Sequence, residues 1–175
     1  MTTAEHSNES SYRELLIEHI FIGELLQYYW LNGSGKIEVL KPQADNGGYD
    51  IVLEANGVAR YVQLKSRLIT AKTPRVNINS ALFNKLNWCV IWIWFKEDTQ
   101  NNKIELKEFW WFGNDDGHKL QINDFKIAKH TKANSKGIKA ERPNIKVIPK
   151  KEFVKIEDVE KLICKLFGHA CLNGR

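Results

Sequence analysis

Asp50, Gln63 and Lys65 stand out because their types and spacing suit one piece of chemistry. A Gly47-Gly48 turn precedes Asp50 at the start of one strand, and a second strand presents Gln63 and Lys65 on a single face, because strand side chains alternate. The loop Glu54-Ala55-Asn56-Gly57 predicts that the two strands form a hairpin. Adjacent strands lie about 4.8 Å apart, so a level register brings Asp50 beside Gln63 and Lys65. A carboxylate, an amide and an amine at one spot suit a metal-assisted attack on a phosphodiester. Mg2+ prefers about six oxygen ligands near 2.0–2.1 Å and keeps several waters, with Mn2+ as a substitute. Asp50 offers an anionic oxygen, and the Gln63 side chain and the Leu64 carbonyl offer neutral ones. Lys65 can orient or help deprotonate a water and offset charge on the phosphate.

The elements that must hold these residues are legible from periodicity. Residues 1–11 read as a flexible N-terminus. A helix is predicted from Tyr12 to Trp30, with Leu15, Leu16, Ile20, Leu25 and Leu26 at helical spacing. Strands follow at 36–40, 49–53 and 59–68, then a short helix at 77–86 capped by Asn77 or Asn79. The apolar run Trp88 to Phe95 predicts a central strand buried on both faces. A hairpin leads to a strand at 104–112, and a short strand at 145–148 and a helix at 156–167 complete the chain. The order predicts an α/β sandwich with a mixed sheet, in one domain spanning 12–175.

The segments Asp45-Asn46-Gly47-Gly48-Tyr49-Asp50-Ile51 and Tyr61-Val62-Gln63-Leu64-Lys65-Ser66-Arg67 resemble the PD-(D/E)xK nuclease superfamily, and most of all its Mrr-like restriction endonuclease branch. That branch has a glycine turn before the acid and Gln-x-Lys in place of Glu-x-Lys. The resemblance covers a core of residues 12–95 and leaves 96–175 as an extension. It implies a restriction-endonuclease-like α/β/α sandwich around a mixed central sheet, and a Mg2+-dependent endonuclease of restriction or repair type acting on double-stranded DNA. It also implies a glutamate from the first helix, for which Glu24, after the small Gly23, is the first choice and the pair Glu14 and Glu18 the second. Tyr49 stands where the superfamily's proline would be. Gln63 removes a negative charge, so Glu24 carries more weight here than in an Asp/Glu site. The alternative is a catalytically degenerate nuclease-fold module that binds nucleic acid or a partner protein.

Net charge is +5. Between Lys119 and Lys155 the basic residues far outnumber the acids Asp124, Glu141 and Glu152, which suits a polyanionic partner. Lys129, Lys132, Lys136, Lys139 and Arg142, with Arg67, Lys72 and Arg75 beside the proposed site, are candidates for gripping phosphates. Trp88, Trp92, Trp94, Trp110 and Trp111 fall on predicted strands and read as packing rather than base stacking. His118 and His130 read as surface residues, Asp45 as a turn aspartate, and Cys89 as a small buried hydrophobe. Cys164 and Cys171 match no zinc spacing. No apolar run reaches membrane-spanning length and no signal peptide is visible, so the expectation is a cytoplasmic protein without a membrane partner. Double-strand cutting would need two active sites and so favours a homodimer.

Overall fold

A computed structural model describes residues 9–33, 35–44, 46–113, 122–133, 135 and 137–168. Asp45, His118, Lys136, His169 and Cys171 lie outside the described residues.

Helix α1 spans Ser10–Asn32 and stops at Gly33, whose positive φ allows its N–H to reach Tyr29 O. Ile17, Phe21, Leu25 and Tyr29, spaced by four, form its buried stripe. Strands β1 (Glu38–Leu40), β2 (Ile51–Ala55) and β3 (Val58–Leu68) form an antiparallel meander. Asn56 and Gly57, both at positive φ, make the tight turn between β2 and β3. β5 (Trp88–Asp98) runs parallel to β3, and β6 (Lys103–Gly113) and β9 (Val154–Ile156) add antiparallel strands. The result is a mixed six-stranded sheet in the order β1-β2-β3-β5-β6-β9. The residues after 95 therefore supply two strands, β6 and β9, to the main sheet.

A second sheet, β4 (Arg75–Asn79), β8 (Glu141–Pro149) and β7 (Ile127–Lys129) in the order β4-β8-β7, accompanies the first. Sequence periodicity predicts a helix at 77–86, but Arg75–Asn79 is a strand with Val76 and Ile78 buried. Its period-two pattern is only five residues long and merges into a 3-10 turn over Ser80–Asn84. The cap itself is as expected: Asn79 accepts from Ala81 N at 3.0 Å.

The two faces of the main sheet have different covers. Helix α1 and helix α2 (Val159–Phe167, capped by Asp158) bury Ile51, Leu53, Val62, Cys89, Ile91, Ile93 and Phe95 on one face. The small sheet and the 3-10 turn pack on Trp88, Val90, Trp92, Trp94 and Phe112 on the other. β5 is thus buried from Trp88 through Phe95 on both sides, as its unbroken apolar run predicts. Trp88, Trp92, Trp94 and Trp111 are core residues, whereas Trp30 is 85% exposed. No helix among the described residues is long and apolar enough to cross a membrane.

Candidate active site

The local sequence explains how Asp50 reaches its place. Gly48 has φ +70, and a Cβ there would come within 3.0 Å of both Asn79 Cβ and Leu82 N. Only glycine lets the turn press on the start of the 3-10 turn while adopting that backbone. Tyr49 then packs edge-on against Tyr61 at 5.0 Å, fixing the entry to β2. The β2–β3 ladder pairs Ile51 with Val62, and one further step places Asp50 opposite Gln63.

At that step β2 ends and β3 continues. The amides of β3 alternate between its two neighbours. Tyr61 N donates to Asn87 O at 3.2 Å and Ile69 N to Phe95 O at 2.8 Å, so odd-numbered residues serve the β5 side. Even-numbered residues face the β2 side, where Val62 O accepts from Asp50 N at 2.9 Å. Leu64 is the first of these without a strand partner, and the Asp50 carboxylate takes over: Leu64 N donates to Asp50 Oδ2 at 2.6 Å. By the same alternation the Leu64 and Ser66 carbonyls point away from β5, to the side β2 has vacated.

The vacated edge is the floor of a cleft of about 650 Å³. Glu14 and Glu18 line one wall, Asp50, Leu64, Lys65, Ser66 and Arg67 the floor, and Pro74, Arg75 and Asn77 the other wall. Both signs of charge meet here. The Lys65 side chain has no hydrogen bond or ion pair with the described residues. Gln63 is 7% exposed and its Oε1 is buried without a hydrogen-bond partner. It does not itself line the cleft, and it shares the face of β3 that turns toward Val90 and the small sheet.

Glu24 is elsewhere. It lies six residues beyond Glu18, about 9 Å along the axis and 240° around it. It is half-buried near Lys103; burial pushes its carboxyl above the usual range, and the Lys103 charge partly offsets this. Gly23 does not mark a close approach either, since a Cβ there would meet nothing within 4 Å. The acids of α1 that reach the cleft are Glu14 and Glu18, one turn apart on one face. Glu18 is the more enclosed, with its side chain 13% exposed, and it forms an ion pair with Lys41, which is 47% exposed.

The basic residues divide into two groups. Arg67 and Arg75 line the cleft, and Lys72 is exposed on the loop between them. Lys129 and Arg142 sit at the far end of the small sheet, with Lys132 and Lys139 in its connecting loop; His130 is exposed there too. Arg142 is seven residue steps along β8 from the cleft end at Pro149, about 23 Å at strand rise. The sequence reading offers Glu18, with Glu14, as the second choice behind Glu24 and does not single out Lys41. The signal for Glu18 is its place one turn after Glu14; no short motif marks Lys41.

Among the described residues no three His, Cys, Asp or Glu side chains form a metal-binding group. The cleft nonetheless offers only oxygen donors, from Asp50, Glu14, Glu18, Ser66 and the Leu64 carbonyl, which is the donor chemistry of Mg2+ or Mn2+ and not of a soft metal. Compared with known proteins, the chain matches no family model, no curated sequence and no solved structure.

Proposed function

We propose that the cleft is a divalent-metal-dependent phosphodiesterase site and that the protein is a DNA endonuclease of the PD-(D/E)xK type. The single observation behind this reading is that Asp50, the Leu64 carbonyl edge and Lys65 converge at the point where β2 leaves β3. A restriction-endonuclease-like core would account for that arrangement: α1, the meander β1-β2-β3 and the parallel strand β5 follow its order, with β4 and a 3-10 turn standing where that core has its second helix. In this reading Asp50 and Glu18, with Leu64 O, hold the metal, and Glu18 takes the part first expected of Glu24. When bound, the metal would polarise the phosphate and lower the pKa of a water.

The chain's own groups supply the rest. Lys65 positions the attacking water and stabilises charge on the phosphate oxygens. Arg67 and Arg75 hold the neighbouring phosphate from the floor and the opposite wall. Asp50 is kept in place by Leu64 N, so the carboxylate is aimed before substrate arrives. Cutting both strands of a duplex would take two copies of the chain.

A second reading has its own support. Gln63 is neutral, Glu18 is engaged by Lys41, and one Asp50 oxygen is engaged by Leu64 N. A site so neutralised suits a module that binds DNA without cutting. Plasmid nicking with Mg2+ or Mn2+ separates the readings. Cleavage by the wild type and its loss in Lys65→Ala is the expected result; equal cleavage by both would remove the assignment. Calorimetry with Mn2+ is the companion measurement, in which Asp50→Asn should abolish binding if the site holds metal.

A further inference from the structure

We propose that a nucleic-acid strand leaving the cleft crosses a lane formed by Arg67, Lys150 and Lys155 on the small-sheet side of the main sheet, bound through its phosphates. This rests on the cleft being the DNA site. The lane is continuous with the cleft in two ways. Arg67, on the cleft floor, is paired in register with Trp94 on the next strand. Pro74, on the cleft wall, accepts from Lys150 N at 2.8 Å. Lys150 Nζ then lies 3.9 Å from the centre of the Trp94 ring and 4.1 Å from that of Trp110. Trp110 pairs in register with Lys155, whose ammonium is 5.9 Å from its ring.

The geometry suits phosphates rather than bases. An ammonium seated on two indole faces is held by their quadrupoles on one side and keeps N–H groups for the other. Trp110 is itself oriented, because its Nε1 donates to Glu108 at 2.9 Å while Lys155 pairs with the same carboxylate at 2.6 Å. Trp94 is buried, so its ring face is a seat for Lys150 and not a stacking platform for a base. Lys150 and Lys155 are thus set out in advance, with less side-chain freedom to lose on contact. From β3 to β9 the lane crosses three strand spacings, about 14 Å, comparable to four nucleotide steps of duplex rise. Contacts of this kind hold the strand and carry no sequence information.

Fluorescence anisotropy with a labelled duplex, in chelator and across a salt series, tests this on the full chain. Lys150→Gln with Lys155→Gln should lower the slope of log affinity against log salt by about 2 and weaken low-salt binding on the order of tenfold. Lys150→Arg with Lys155→Arg should restore both. Lys161→Gln with Lys165→Gln removes the same charge from α2 on the opposite face and should leave the slope unchanged. An unchanged slope in the lane variant, no rescue by arginine, or an equal loss in the α2 variant would each overturn the lane. If wild-type plasmid nicking remains Lys65-dependent in that case, the lane fails and the nuclease reading stands. No DNA binding and no nicking by the wild type would overturn both.

Discussion

The two halves of β3 carry similar residues but differ in what their backbones do. From Val58 to Val62 the strand is paired with β2, and from Tyr61 onward with β5 as well. From Gln63 to Leu68 it keeps only β5, and its other edge opens on the cleft. In the first half polar side chains serve the fold. Arg60 is buried, donates from Nε to Leu166 O at 3.1 Å at the end of α2, and lies over Trp111. In the second half Lys65 and Arg67 face a cleft and the backbone presents carbonyls to it. The lesson is that a sheet makes a site by stopping one strand early.

Substitutions on the two halves should therefore fail in different ways. The largest expected effect is in the open half: Lys65→Ala should reduce plasmid nicking by about a hundredfold or more, with a melting temperature close to wild type. A large fall in melting temperature would erase the contrast. Next, Arg60→Ala should lower stability by about 2–3 kcal/mol in urea unfolding, since it removes a charged donor from the α2 carboxyl end and its packing on Trp111. Asp50→Ala stands at the boundary and should cost about 1–2 kcal/mol by leaving Leu64 N unpaired. Asp50→Asn keeps an acceptor and should cost less, so a large loss of stability in the asparagine variant would show that the charge, and not the cap, holds the turn.

The smallest effect is expected at Glu24, outside both halves. Burial raises its carboxyl above the ordinary value of 4.5. Its stabilisation is therefore complete below that value and is lost as pH rises through the raised one. Glu24→Gln should flatten this part of the melting temperature against pH profile and leave nicking unchanged. A loss of nicking comparable to that of Lys65→Ala would return Glu24 to the site and displace Glu18.

The long strands of the main sheet and the turn between β2 and β3 were legible because their patterns are long or their turns explicit. The run from Trp88 to Phe95 has no polar break, and Asn56-Gly57 permits few alternatives to a hairpin turn. The three-residue strands β7 and β9 were not legible, since a segment that short has no periodicity to read. At the site, the sequence placed Asp50 and Gln63 on neighbouring strands of one hairpin, but their level register is set by the two-residue Asn56-Gly57 turn, shorter than the loop the sequence suggested. The choice between Glu24 and Glu18 was not legible, because it depends on how α1 is rotated over the sheet. That rotation is set by packing of Ile17, Phe21 and Leu25 against distant strands. Lys150 owes its position to Trp94 and Trp110, which are far from it in sequence.

The Arg60–Leu166 bond also has a consequence for the order of events in folding. It joins residues 106 apart in the chain. Contacts of such long range form slowly because a large loop must close first. On a ribosome, the meander that carries Asp50 and Lys65 would emerge well before the helix that braces it. Until that helix docks, the Arg60 guanidinium has no Leu166 carbonyl to meet. Pulse-labelling hydrogen exchange during refolding should therefore show the amides of β3 gaining full protection only together with those of α2.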